Sequence, residues 1–179
     1  MEAQIRTPMS DGDLRRILGA DLKIVRYSDL AHANTLEELL PRNPDHLILL
    51  FETEPNVGHW TALLRYENLF EFFDPYGMMP DKELLWIPAQ RRKMLNQDEP
   101  YLSHLLDKAD HWIYNKTRYE KMNTKVNTCG DHCCHRIYRQ IHNDMDLQDY
   151  KDYMDHVEDQ FGLNYDQIVA EFAEDFGVH

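Results

Sequence analysis

The chain has 179 residues, 42% of them apolar and 28% charged, with a formal net charge of −13. This is the composition of a globular domain with a hydrophobic core, and it excludes a disordered or fibrous chain. The acidic residues concentrate after Asp144, and such a surface repels phosphate backbones, which argues against nucleic acid as a partner.

No run of about 18 apolar residues predicts a membrane span. The N-terminal segment MEAQIRTPMSDGDLRRIL lacks the continuous apolar stretch of a secretory signal. The three cysteines, Cys129, Cys133 and Cys134, are odd in number and crowded together, unlike a disulfide framework, so a reducing compartment inside a cell is expected. With no internal repeat, low-complexity tract or flexible linker, residues 1–179 read as a single domain.

In chain order, Ser10-Asp11-Gly12-Asp13 followed by Leu14, Ile17 and Leu18 predicts a capped first helix. Thr35 and Glu38 stand at capping-box spacing and open a short second helix. The period then changes. His46–Phe51 is a nearly continuous apolar run, as in a buried strand, and 58–66 and 69–74 read as two more strands. Pro55-Asn56-Val57-Gly58 and Glu67-Asn68 supply the turns of this antiparallel meander, and 111–114 predicts one further strand. Helix returns at 91–95, 101–109, 129–142, 150–161 and 165–176. In the helix over 129–142, Cys133, Cys134, Ile137, Tyr138 and Ile141 form the apolar face, which leaves His132, His135 and His142 as exposed polar positions. The fold class is α+β, a central, mainly antiparallel sheet packed by helices.

The meander carries a geometric expectation. If Glu67-Asn68 is a two-residue loop, Tyr66 pairs with Leu69 and His59 falls opposite Tyr76. Asp74 then lies diagonal to His59 on the same face, about 7–8 Å away at the backbone, within reach of a histidine–carboxylate hydrogen bond. A one-residue slip would put the two side chains on opposite faces.

Asn127-Thr128-Cys129-Gly130-Asp131 predicts a helix start, with Thr128 and Asp131 at capping-box spacing. Cys129 would be the first helical residue, where the helix dipole and backbone N–H groups favour the thiolate. Gly130 carries no side chain, so a substrate backbone could come close. Cys133 and Cys134 are expected in the core as small hydrophobes. Cys129, His132, Cys133, Cys134 and His135 also make a dense set of potential metal ligands, but structural zinc takes ligand pairs from separated segments and no second pair is evident. No metal or cofactor is expected.

These residues resemble a known family. Gly58-His59-Trp60, Phe73-Asp74-Pro75-Tyr76-Gly77 and Thr128-Cys129-Gly130-Asp131-His132-Cys133 are similar, in order and spacing, to the motifs of the adenain-like cysteine proteases. That family includes the adenovirus maturation protease and related proteases of large DNA viruses, virophages and Polinton-type elements, and it shares its fold with the SUMO-deconjugating proteases. The resemblance covers roughly residues 8 to 155. It implies the papain-like, adenain-like fold, Cys129 as nucleophile, His59 as general base and Asp74 as the residue orienting the imidazole, with Trp60 and Gly130 flanking the site. The family's oxyanion-hole glutamine lies six or seven residues before the cysteine. Here those positions hold Asn123 and Met122, so Asn123 is the expected substitute beside the Cys129 backbone N–H. Glu120 does not qualify as a donor, because an ionised carboxylate cannot donate.

The resemblance further implies maturation cleavage of viral structural proteins at small residues such as glycine, in the virion and in viral factories of the host cytoplasm, with a peptide activator as a possible partner. Two other readings remain open at this stage. One is an isopeptidase acting on a ubiquitin-like modifier, which would use the same triad. The other is a non-catalytic acidic module that binds a basic partner.

Overall fold

The computed structural model describes residues 2 and 4–179. In chain order its main elements are α1 (Asp11–Leu18), β1 (Ile24–Arg26), α2 (Leu36–Leu39), β2 (Asp45–Glu54), β3 (Val57–Tyr66), β4 (Leu69–Phe73), α3 (Ala89–Met94), α4 (Tyr101–Asp107), β5 (Trp112–Tyr114), α5 (Cys129–Asn143), α6 (Leu147–Phe161) and α7 (Tyr165–Glu174). Short 3-10 turns cover Gln4–Arg6, Tyr27–His32 and Lys82–Trp86. The chain divides into two compact units, each discontinuous in sequence. A sheet unit comprises Lys23–Asp74 and Met78–Lys116, and a helical unit comprises Met1–Leu22, Pro75–Gly77 and Thr117–His179.

The sheet unit holds all five strands, in the order β1-β2-β3-β4-β5. The antiparallel meander forms in the expected register, from Tyr66 opposite Leu69 to Ala62 opposite Phe73. The long central ladders are antiparallel, as expected, and the two short outer strands add a parallel pairing at each edge. β1 runs parallel to β2 and β5 parallel to β4, so the α+β fold carries a mixed sheet. The reason is topological. Both edge strands are joined to their neighbours by long connections through helices or 3-10 turns, and a crossover returns the chain in the parallel sense.

On one face, Leu47, Leu49 and Phe51 of β2, Leu63 of β3 and Phe70 and Phe72 of β4 pack with Tyr27, Leu84 and the α4 leucines Leu102, Leu105 and Leu106. Tyr27 stacks on Phe51 with ring centroids 4.6 Å apart. Ile48, Leu50, Ala62, Leu64 and Phe73, on the alternate positions, are buried as well. Burial on both faces explains why β2 reads as a continuous apolar run rather than an alternating one.

In the helical unit, α1 is capped at Ser10, as the sequence predicts, and Asp13 completes a capping box. The box expected at Thr128 does not form. The Thr128 hydroxyl instead donates to Asp166 Oδ1 at 2.6 Å, and Asp131 receives His179 Nε2 at 2.7 Å. The box expected at Thr35 does not form either, because Glu38 accepts the Asn34 N–H instead of that of Thr35 and the Thr35 side chain makes no cap bond. The surface assignment of the α5 histidines is also corrected. His132 and His135 are buried, whereas Ile141 is exposed and His142 lies on the surface as expected. α5 packs against both α1 and α7, so its first turns are enclosed nearly all round and an amphipathic pattern cannot name one inner face.

Several buried polar groups on α5 find partners on neighbouring elements, while His132 Nδ1 and one Asp131 oxygen meet no hydrogen-bond partner. His135 Nδ1 pairs with the Tyr150 hydroxyl at 2.9 Å and its Nε2 accepts from Arg139. Burial, with the Arg139 charge beside it, pushes that imidazole well below its ordinary pKa. Asp166, at the start of α7, accepts from Thr128, from His132 Nε2 at 3.0 Å and from the Lys121 N–H. Burial alone would raise its pKa, but the hydrogen bonds from His132, Thr128 and Lys121 and the His132 charge outweigh it and hold the carboxyl below its usual range.

Two predictions follow from these contacts. A Cβ at Gly58 would stand 1.9 Å from the Phe51 carbonyl oxygen, so Gly58→Ala should force β2 and β3 apart at their tip, costing about 2 kcal/mol or more in denaturant unfolding. Asp166→Ala leaves buried partners unmatched and should cost about 2–4 kcal/mol at neutral pH. Because the folded pKa of Asp166 is depressed, its contribution is present above the unfolded value of about 3.9 and is lost as pH falls through the lower folded value. The gap between wild type and variant should therefore narrow in strong acid, read from unfolding curves taken across that range.

Candidate active site

The sheet unit builds a histidine–carboxylate pair. His59 lies on β3 opposite Phe51 of β2, and the β3–β4 ladder stops at Phe73, one residue before Asp74. His59 Nε2 sits 2.7 Å from Asp74 Oδ1, with the imidazole 13% and the carboxylate 0% exposed. The diagonal contact required by the strand register is therefore made.

What fixes Asp74 is a residue the sequence reading missed. Asn115, directly after β5, accepts the Asp74 N–H at 2.9 Å and donates to the Asp74 carbonyl at 2.6 Å. β5 pairs with β4 as far as Tyr114 opposite Phe72, so the Asn115 amide extends that ladder with a side chain in place of a peptide. Only the position of an asparagine at the end of a predicted strand hinted at this role. A proton on Nε2 directed at Asp74 leaves the Nδ1 lone pair as the basic nitrogen of His59. Trp60 is buried opposite Leu50, on the alternate face of the strand from its neighbour His59.

The helical unit builds a cysteine at a helix start. Cys129 is buried and is the first residue of the 15-residue α5, where backbone N–H groups have no intrahelical acceptor and the dipole is positive. The preceding loop is pinned, with the Asn127 N–H and side-chain amide donating to the carbonyls of Ile5 and Arg6. Cys133 and Cys134 are fully buried, as expected for core positions, and burial pushes the Cys134 thiol well above its ordinary pKa, which makes it unreactive. Gly130 is needed for a different reason from the one expected. A Cβ there would lie 2.8 Å from the Met9 side chain, so its missing side chain makes room for Met9 rather than for an approaching backbone.

Asn123 is on the exposed loop 121–125, its amide oxygen accepting the Lys125 N–H at 2.7 Å. The group brought to the start of α5 is Glu120. It is 1% exposed, accepts the Thr128 N–H at 3.0 Å, and has a carboxylate oxygen within 4.8 Å of the Cys129 sulfur. The Pro75 carbonyl receives the N–H groups of both Tyr119 and Glu120. Gly77, at φ 69°, leaves no space for a Cβ against the Thr117 carbonyl. Pro75 and Gly77 thus secure the loop that carries Glu120.

Comparisons with known proteins bear on origin. No family model matches the chain. A solved structure, the central domain of the uncharacterized Lpg1148 protein from Legionella pneumophila, aligns over 95% of this chain and 96% of that one, with a TM-score of 0.46 and 18% identity. The uncharacterized protein V9 of Sputnik virophage is 34% identical over 168 residues, covering 92% of this chain and 93% of that protein. No helix among the described residues is long and apolar enough to cross a membrane. At that identity over nearly the full length of both proteins, the chain belongs to the family of the Sputnik virophage V9 protein.

Proposed function

We propose that the chain is a cysteine endopeptidase of the adenain-like kind, with the papain-like arrangement that this implies, acting on virophage structural precursors in the viral factory and the virion. The observation that carries the reading is the buried His59–Asp74 pair at 2.7 Å, formed by one strand register and accompanied in the sequence by a cysteine that opens a long helix. A histidine oriented by a solvent-free carboxylate is the arrangement a general base requires.

In the proposed reaction, His59 takes the Cys129 thiol proton and the thiolate attacks the scissile carbonyl. The N–H groups at the start of α5 stabilise the oxyanion. The imidazolium then gives its proton to the departing amine, leaving a thioester. Water, deprotonated by His59, hydrolyses that thioester and restores the thiol. Asp74 holds the imidazole tautomer and stabilises its charge throughout.

The first test is labelling with limiting iodoacetamide from about pH 5 to 9, analysed by intact mass and peptide mapping. Labelling confined to Cys129, persisting below the ordinary thiol pKa of about 8.5 and slowed at least about tenfold by His59→Ala, is the expected outcome. Equal, slow labelling of both proteins would point to an activator-dependent enzyme or a non-catalytic relative. Cleavage of glycine-rich peptides, lost in Cys129→Ala, then separates peptidase from isopeptidase.

Glu120 supplies a second prediction. Glu120→Gln keeps an acceptor for the Thr128 N–H and removes a negative charge near the sulfur. It should favour the thiolate and speed Cys129 alkylation several-fold near neutral pH. An unchanged rate would mean that Glu120 is protonated in the native protein.

A further inference from the structure

The His59–Asp74 pair has a third member within the sheet unit. Glu83 lies in the 3-10 turn Lys82–Trp86, next to Leu84, which belongs to the core cluster of that unit. The turn is held in place by Asp81, whose backbone is left-handed at φ 70°. One Asp81 oxygen accepts the Tyr27 hydroxyl at 2.6 Å and the other accepts the Ser103 N–H at 2.8 Å. So fixed, the turn directs Glu83 inward, where it is 2% exposed. Neither of its carboxyl oxygens meets a donor in hydrogen-bond geometry, and among the described residues no cation pairs with it. The groups that face it are two carboxyls, Asp74 from the end of β4 and Asp81 from its own turn, with His59 reached through Asp74.

An ionised carboxylate in that position would be buried, uncompensated and beside a second negative charge, which is the costliest state open to it. A neutral carboxyl avoids the cost and gains a proton to donate. We propose that Glu83 is a positioning residue, a neutral acid whose proton is directed at Asp74 and so holds that carboxylate in the orientation that receives His59. The two carboxyls share one proton at neutral pH, and Asp74 keeps the charge because the histidine faces it. Burial and then the Asp74 charge push the Glu83 carboxyl well above its ordinary pKa, in agreement with the geometry. The consequence for catalysis rests on the proposed function, whereas the position of the proton does not.

The sign of the pH dependence follows from a raised acid. Below the unfolded value of about 4.3 both states hold the proton and nothing is lost. Above it the unfolded chain ionises while folded Glu83 does not, so wild type loses stability with rising pH until the folded value is passed. Glu83→Gln keeps the volume and an N–H donor but cannot ionise. Its stability relative to wild type should rise by about tenfold in the unfolding equilibrium constant per pH unit from about pH 4.5 towards neutrality. Parallel curves for the two proteins would overturn the proposal. So would a Glu83 carboxyl carbon that titrates near pH 4.3 in NMR of the wild-type protein, a measurement that needs no variant.

The positioning role is read at the His59 Nε2 proton resonance. It should be retained in Glu83→Gln and displaced or lost in Glu83→Leu. A resonance unchanged in both variants would overturn the role. Its absence from wild type would instead remove the His59–Asp74 pair and with it the proposed function. An intact resonance without peptidase activity would sink the protease reading and leave the assignment of Glu83 standing.

Discussion

A carboxylate with no solvent exposure must be compensated from within the protein, and the sheet unit is arranged around one such group. Asp74 is 0% exposed. Its side chain takes His59 Nε2 and its backbone is clamped at both N–H and C=O by Asn115. The cost of burying that charge is offset only when strand register, ladder end and histidine rotamer agree. A slip of one residue between β3 and β4 would leave the charge without its histidine. The pairing of Tyr66 with Leu69 at the hairpin end therefore decides the chemistry several residues away.

The helical unit solves a related problem at the start of α5. A helix beginning inside a protein leaves N–H groups that something must satisfy. Here the answer comes from distant segments rather than from the local box. Glu120 accepts the Thr128 N–H, Asp166 accepts the Thr128 hydroxyl, and the Asn127 amides are tied to the N-terminal segment. The residue expected to cap locally, Asp131, is free to engage His179. Cys129 thus opens a helix whose first turn is positioned by α7 and by the loop that carries Glu120. Those are the supports that a reactive group needs if it is to keep one geometry.

Much of this was legible from local pattern. The meander, its hairpin register, the capped start of α1 and the strand at 112–114 depend on apolar periodicity and turn residues, which act over a few positions. The His59–Asp74 contact was legible for the same reason, since a two-residue loop fixes every later pairing. Ile24–Arg26 was missed because three residues show no period, and the parallel sense of β1 and β5 was missed because crossover direction is a property of the whole connection.

What the sequence determined by itself is the class of fold and the residue types at the candidate site: a strand histidine, an acid one residue beyond its partner strand, and a cysteine at a helix start. What only the tertiary structure decided is the company those residues keep. Asn115 clamps Asp74, Glu83 faces it, Glu120 lies by Cys129, Met9 occupies the space above Gly130, and His132 and His135 are enclosed. Each of those contacts joins residues far apart in the chain or depends on a helix being covered from more than one side. The free energy of burying a polar group is set by whatever surrounds it in space, and periodicity along a chain carries no information about that.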